Sequence, residues 1–380
     1  MAVIIQKSIL IMNYSIKSIY NTVDFLKFPL AVLVVILHSN ITCLNIGGEI
    51  FPLDCNHFPI YRPISFLFSE LIASLAVPTF FVISGYFFFN GLITSNGTLN
   101  SNIYIEKLKR RTKTLLLPYL LWNLIYLLIF FVGQSIFSDI MSDGNKRIAD
   151  YELLDYLNVF WSGYHNYPIC APLWFVRNLM VMILLAPIFV FLFRKTKCTT
   201  LILFLFVWLL ELGAIVDGID FKSLFFFYGG GYVSYNKFNM KVLMQKKWFF
   251  VVIYILVDLF LMFFCVDNDD FFSRTIQRLS LILGVPTLII IGIFISNEFT
   301  TNKCIRFLNQ SNFFIFSYHF FPLGLIMKLF LVIFKPQTDF TILFIYFSCP
   351  VIVVLIGLLL FYFIKNIAPK VAFALTGGRM

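Results

Sequence analysis

Lys27 and His38 are the first residues in the chain whose types and spacing could do chemistry. Ten residues of an apolar run separate them. On a helix, steps of about 100° bring both side chains to one face, about 16 Å apart along the axis, so the pair could contact two ends of one ligand. Imidazole suits proton transfer near neutral pH. Two blander interpretations stay open, because Lys27 could be a headgroup anchor and His38 an interfacial packing residue.

The composition indicates which elements must carry this pair. Of the 380 residues, 60% are hydrophobic, only 13% are charged, and 49 are Phe. A soluble domain has about 25% charged residues, so the composition excludes that class. Apolar runs recur along the whole chain, and a membrane span needs about 20 apolar residues. The sequence therefore predicts an all-α, polytopic integral membrane helix bundle.

Several other classes of protein or site are disfavoured by the residue pattern. The opening segment MAVIIQKSILIM contains Lys7 and lacks a small-residue cleavage site, so we expect no signal peptide, and a start at Met12 stays open. The 7 cysteines show no CxxC spacing, and no metal site is predicted. The net charge is +10, but no basic stripe with interleaved aromatic residues is present, so we expect no nucleic-acid partner.

About ten transmembrane helices are predicted from the apolar runs and from the charged or turn-rich segments between them. The fifth and sixth runs are shorter than a span requires, and the sixth contains three consecutive glycines. The predicted helices are Phe25 to Cys43, Ile64 to Phe89, Leu115 to Phe137, Pro172 to Phe193, Thr200 to Leu210, Ser223 to Tyr235, Trp248 to Val266, Leu279 to Ser296, Phe307 to Phe334 and Phe340 to Ile364.

The loops between these helices alternate between basic and acidic composition. Lys and Arg concentrate in the short loops that stay in the cytoplasm, and the regular alternation supports ten spans. We therefore expect a multi-pass protein of the cytoplasmic (inner) membrane with both termini in the cytoplasm. The predicted organisation is an N-terminal segment over residues 1–23, a transmembrane domain over 24–366 and a C-terminal tail over 367–380.

The stretch DFLKFPLAVLVVILHS, from Asp24 to Ser39, resembles the opening helix of the acyltransferase family 3 membrane proteins, whose signature is Arg, ten residues and His. Lys27 stands where that family usually has Arg. The resemblance extends in the same order over essentially the whole chain. The further similar segments are VPTFFVISGYFFF from Val77, KLKRRTKTLLLPYLLW from Lys107, PLWFVRNL from Pro172, FFIFSYHFF from Phe313 and, more weakly, APKVAFALTGGR from Ala368.

The resemblance implies transfer of an acyl group, most often acetyl, from a cytoplasmic acyl-CoA to a hydroxyl of an envelope carbohydrate. A base must take the hydroxyl proton, and the resemblance implies His38 in that role, with Lys27 as a second catalytic candidate. Acetyl-CoA is expected as a donor substrate rather than a bound cofactor. Its phosphates require positive charge, which Lys107, Arg110 and Arg111 could supply, although the same basic segment could serve only to set topology.

Four more residues are candidates for substrate binding. Ser84 could donate a hydrogen bond to the substrate, although it lies beside Gly85 in a segment that suits close helix packing. Trp174 could bind substrate or belong to an interfacial aromatic belt. Arg177 lies inside an apolar run, where it needs a partner or an anionic ligand. His319 is a second candidate for proton handling or acceptor binding.

Two acidic residues and two alternative functions complete the sequence-based hypotheses. Glu70 and Asp258 fall within predicted spans and could orient a His or pair with Arg177. A transporter or flippase for a lipid-linked or small anionic solute is the main alternative, although no internal symmetry supports it. A structural scaffold leaves the pairing of Lys27 and His38 on one helix face unexplained. The acceptor, the acyl group and a free amine as acceptor stay open.

Overall fold

Helices form most of the described part of the chain in the computed structural model. The structure describes residues 2–46, 49–136, 146–162, 166–212, 216–238, 240–299 and 303–379. A short antiparallel hairpin, in which Cys43 pairs with Pro52, is the named sheet within these ranges. The elements are α1 (Ala2–His38), β1 (Cys43–Ile46), β2 (Glu49–Pro52), α2 (Tyr61–Phe89), α3 (Ser101–Ile136), α4 (Leu153–Asn158), α5 (Trp174–Leu184), α6 (Ala186–Lys195), α7 (Thr199–Leu209), α8 (Phe221–Tyr235), α9 (Met240–Gln245), α10 (Lys247–Phe264), α11 (Phe271–Phe299), α12 (Lys303–Tyr318), α13 (Phe320–Phe334), α14 (Asp339–Ile367) and α15 (Pro369–Thr376).

The predicted class, an all-α membrane helix bundle, is confirmed. Among the described residues, 6 helices are long and apolar enough to cross a membrane, or up to 8 if each of two bent pairs is one span. The bent pairs are α5 with α6, at 59°, and α12 with α13, at 68°. Many large apolar side chains on these helices are exposed, as lipid-facing residues must be.

All ten predicted apolar segments contain helix, but the structure corrects several of their bounds. The first helix ends at His38 rather than at Cys43, because the chain turns there into β1. The fourth and ninth predicted helices are broken pairs. The fifth and sixth have 11 and 15 residues, shorter than the roughly 20 that a straight span needs, and the count of ten spans stays a prediction.

One compact unit comprises residues 1–83 and 237–359. Within it α11 packs against both α1 and α10, and α1 also packs against α12. Glycines allow the close approach, because a Cβ built at Gly292 would lie 2.9 Å from Leu26. Polar side chains also join helices inside this unit. The hydroxyls of Thr22 and Ser296, for example, are 3.2 Å apart.

The other compact unit comprises residues 84–236 and 360–380. Its core is aromatic. The ring centroid of Phe193 lies 4.6 Å from that of Tyr228 and 5.1 Å from that of Phe89. Edge-to-face and tilted contacts of this kind favour tight packing between rings. A Cβ at Gly85 would overlap the backbone carbonyl of Phe227, so α2 and α8 meet there at backbone distance. The abundance of Phe in the sequence is explained in part by this core.

Two long helices contain π-helical turns, at Phe66–Ile72 in α2 and at Thr112–Leu116 in α3. A π turn accommodates an extra residue within an otherwise α-helical segment, and such turns frequently occur at functional sites. The turn in α3 follows Arg111 directly. The helical phase of the residues before each turn is therefore offset from that of the residues after it.

Candidate functional site

His38 and His319 form a pair of imidazoles in the unit of residues 1–83 and 237–359. His38 is the last residue of α1, and His319 lies at the bend between α12 and α13. Their ring centroids are 5.4 Å apart, with an angle of 36° between the planes. His38 is half-buried and His319 is fully buried. The two histidines that the sequence analysis singled out separately are thus neighbours.

The hydrogen bonds of His319 define which of its nitrogens carries a proton. Nδ1 lies 2.8 Å from the carbonyl oxygen of Phe316 and 3.2 Å from that of Ile315. A carbonyl only accepts, so Nδ1 must be the donor, and in neutral imidazole Nε2 then presents a lone pair. That Nε2 is buried and has no hydrogen-bond partner among the described residues. A buried acceptor without a donor is costly, so this atom is suited to receive a hydrogen bond from a ligand or a neighbouring ring.

The end of α1 is fixed by side chains from other helices of the same unit. The hydroxyl of Ser69 donates to the carbonyl of Ile36 at 2.9 Å and lies 2.7 Å from the hydroxyl of Tyr346. Tyr61 hydrogen-bonds both backbone groups of Ile41. Because the last carbonyls of a helix lack partners within it, these contacts complete the end of α1 and hold His38 in place. Nothing in the apolar pattern of the sequence pointed to Ser69, Tyr61 or Tyr346.

Lys27 lies on α1 with His38, as predicted, but its direct partner is Asp24. The ammonium is 2.5 Å from the Asp24 carboxylate, and the Lys27 side chain is 38% exposed. Eleven residues of α-helix place Lys27 and His38 about 16 Å apart along the axis, too far for contact. A role for Lys27 in catalysis or donor binding therefore stays a prediction.

The two acidic residues within the predicted spans have partners that the sequence analysis did not foresee. Glu70 pairs with Arg62 at 2.6 Å and accepts a hydrogen bond from Asn40 at 3.2 Å. Asp258 accepts a hydrogen bond from Ser280 at 2.5 Å. The cation that pairs with Glu70 is thus Arg62 rather than Arg177, because Arg62 lies eight residues before Glu70 on the same helix, α2.

Arg177 lies buried near the start of α5 in the unit of residues 84–236 and 360–380. One guanidinium nitrogen donates to the backbone carbonyls of Trp161 and Asn166, and Nε donates to the side chain of Asn178 at 3.2 Å. The guanidinium also lies over the Trp161 ring, 5.4 Å from its centroid. The partner that Arg177 requires is therefore the preceding loop. Substrate binding by Arg177 stays a prediction.

Trp174, Ser84 and the basic segment belong to the same unit. The Lys222 ammonium lies 6.0 Å from the centroid of the Trp174 ring, and Ser84 is half-buried on α2. Lys107 donates to the carbonyls of Phe88 at 2.5 Å, Asn90 at 2.7 Å and Phe87 at 3.3 Å. Its ammonium therefore completes the C-terminal end of α2.

Of the remaining basic candidates, Arg110 is exposed and Arg111 is half-buried. Two histidines outside the spans had no predicted chemical role. His57 pairs with Asp54 at 2.7 Å on an exposed loop, and this hydrogen bond lowers the pKa of the Asp54 carboxyl. His165 lies outside the described residues.

Comparison with known proteins places this chain in a family. A family model described as an acyltransferase domain matches residues 20–367. The succinoglycan biosynthesis protein ExoH of Rhizobium meliloti (strain 1021) is 29% identical over 184 residues, which cover 46% of this chain and 44% of that protein. The chain thus matches less than half the length of this curated relative. No solved structure matches the chain. Because the family model spans most of the chain, including both His38 and His319, this protein belongs to the acyltransferase family 3 membrane proteins.

Proposed function

We propose that this protein is a membrane O-acyltransferase that transfers an acyl group, acetyl in the simplest case, from a cytoplasmic acyl-CoA to a hydroxyl of an envelope polysaccharide. The observation that carries the proposal is the pair of imidazoles, 5.4 Å apart between centroids, inside a chain of an acyltransferase family. The printed name of the relative ExoH, which refers to succinoglycan biosynthesis, supports a glycan as the acceptor.

In the proposed reaction His38 is the general base. Its imidazole takes the proton of the acceptor hydroxyl as the oxygen attacks the thioester carbonyl, and the carbon–sulfur bond then breaks to leave an ester. The proton passes from His38 to the departing thiolate, which is released as the free thiol. His38 suits this role because its ring is half-buried at a helix end rather than sealed in the core.

His319 is proposed to act on His38 rather than on the donor. Its Nδ1 proton is held by backbone carbonyls, so its Nε2 lone pair can accept a hydrogen bond from the imidazolium that forms on His38. A neutral acceptor of this kind orients the base and stabilises its charged form, as the third member of a catalytic triad does. Lys27, Arg110 and Arg111 are proposed to attract the phosphates of the donor, and Ser84, Trp174 and Arg177 to contact substrate.

The test replaces His38 by Ala and by Gln and measures acyl esters on the envelope glycans by NMR and mass spectrometry. Loss of a general base lowers a rate by about 100-fold or more, so both variants should lose the esters while membrane abundance is unchanged. His57→Ala is the matched control, because His57 is an exposed loop imidazole. Esters retained in His38→Ala would remove His38 from the mechanism. If the esters are retained in His38→Ala and vesicles that contain this variant still accumulate solute, a transporter would be favoured.

A further inference from the structure

The C-terminal helix α15 is attached to α3 at backbone level, within the unit of residues 84–236 and 360–380. The indole nitrogen of Trp122 donates to the carbonyl of Leu375 at 3.1 Å. Gly377 follows the helix with a φ of 62°, and a Cβ there would overlap the carbonyl of Thr114. A side chain at this position would therefore be strained by the backbone conformation and would collide with Thr114. The segment after α15 lies directly on the π-helical turn of α3.

This attachment brings the segment that carries Arg379 onto the turn that follows Arg111. Thr114, which contacts Gly377, lies three residues after Arg111, within the π-helical turn that Arg111 precedes. Arg379 turns back onto its own helix and donates to the carbonyl of Thr376 at 2.7 Å. Burial and the positive charge of Arg111 lower the pKa of Arg379 to about 10. The fold thus holds two cations close enough to act on each other.

An anion is the natural ligand for two such groups. Guanidinium groups present planar pairs of donors that match the oxygens of a phosphate, and a bound anion also removes the repulsion between them. The neighbouring Lys107 is held by three carbonyls at the end of α2 and is a point charge, whereas each arginine presents several N–H donors in one plane. Arg110, exposed on α3, adds positive charge beside them.

We propose that Arg111 and Arg379 form a phosphate clamp that binds the phosphate groups of the acyl donor, so that the C-terminal segment is part of the donor site. This assignment rests on the proposed function for the identity of the donor. The shared chemistry is the phosphate group, which a phospholipid headgroup could also supply. If the clamp binds the acyl donor, CoA should displace a phospholipid from it. If the clamp binds a headgroup, CoA should not.

The experiment uses the full-length protein in nanodiscs of phosphatidylcholine and measures the affinity for CoA and for dephospho-CoA, which lacks the 3′-phosphate. Arg379→Gln should weaken CoA binding by about tenfold or more, and Arg379→Lys by less, because charged hydrogen bonds are the strong ones. Lys370→Gln is the matched control: it removes one charge from an exposed position of α15 and should leave the affinity unchanged.

A further variant displaces Arg379 without removing charge, and a second glycine serves as its control. Gly377→Ala should weaken CoA binding in the same way as Arg379→Gln, because the new Cβ pushes the segment away from Thr114. Gly91→Ala is its control, since Gly91 also has a positive φ, of 71°, but no atom lies within 4 Å of a Cβ built there. Gly91→Ala should leave the affinity for CoA unchanged.

The outcomes separate the clamp from the proposed function. Wild-type affinity for CoA in Arg379→Gln would overturn the clamp and leave the acyltransferase proposal intact. Absence of CoA binding and of CoA-dependent transfer in the wild type would overturn both. In nanodiscs with added phosphatidylglycerol, binding of that lipid that requires Arg379 and that CoA does not displace would assign the clamp to a headgroup and overturn its role in donor binding.

Discussion

The two compact units differ in the polar chemistry that they hold. In the unit of residues 1–83 and 237–359, hydroxyl and imidazole groups complete helix ends, and two imidazoles lie side by side at His38 and His319. In the unit of residues 84–236 and 360–380, an aromatic core surrounds few polar groups, and the positive charge of Arg111 acts on Arg379. The first arrangement suits transfer of a proton, and the second suits attraction of an anion. The comparison indicates that one chain separates these two tasks.

The largest expected effect concerns the pair of imidazoles at His38 and His319. His319→Ala should lower the rate of acyl transfer by about 100-fold, because the protonated His38 loses its acceptor. The double variant His38→Ala/His319→Ala should lose little more than His38→Ala alone, since residues that act as a unit are not additive. The measurement is the rate of ester formation at equal membrane abundance. Additive losses would show that the two imidazoles act independently.

A smaller effect concerns the aromatic unit. Gly85→Ala places a Cβ against the backbone carbonyl of Phe227, which cannot rotate away, so it should reduce stability by about 1–3 kcal/mol. Gly229→Ala is the matched control in the same unit, because its Cβ would meet only a Leu201 methyl group at 3.5 Å. Thermal unfolding in detergent measures both. Equal melting temperatures would contradict the close approach of α2 and α8.

The smallest effect concerns Lys27, whose ion pair with Asp24 is exposed, unlike the buried imidazole of His319. Asp24→Asn should change stability by less than about 1 kcal/mol, as exposed pairs usually do. Lys27→Ala should lower transfer about fivefold, in keeping with one solvent-exposed charge contact, and Lys27→Arg should lower it less. Transfer assays with varied acyl-CoA concentration measure the effect. Wild-type rates in both Lys27→Ala and Lys27→Arg would remove Lys27 from donor binding.

The class of fold and the candidate His38 could be predicted from the sequence because both depend on local pattern. Apolar runs of sufficient length predict membrane helices whatever their neighbours are. The proximity of His38 to His319 could not be foreseen, because helical phase does not state which helices meet. The partners of Lys107 were hidden for the same reason, since a loop decides which carbonyls its ammonium reaches.

The broken helices show a second limit. Hydropathy averages over a window, so the run from Pro172 to Phe193 looked continuous although α5 and α6 meet at 59°. A local signal was present in the sequence: Pro187 lies in the first turn of α6, where proline suits the start of a new helix. Pro322 marks the start of α13 in a similar way.

The bend of 68° at His319 has a mechanical consequence. When the angle between two joined helices changes, the far ends of the helices move most and the residue at the bend moves least. His319 lies at the bend between α12 and α13, and each of these helices extends for at least 15 residues from it. A movement of α12 or α13 to fit acceptors of different size would thus leave the His319 imidazole nearly stationary. A chain built in this way could accommodate substrates of different shape without moving the imidazole that lies beside His38.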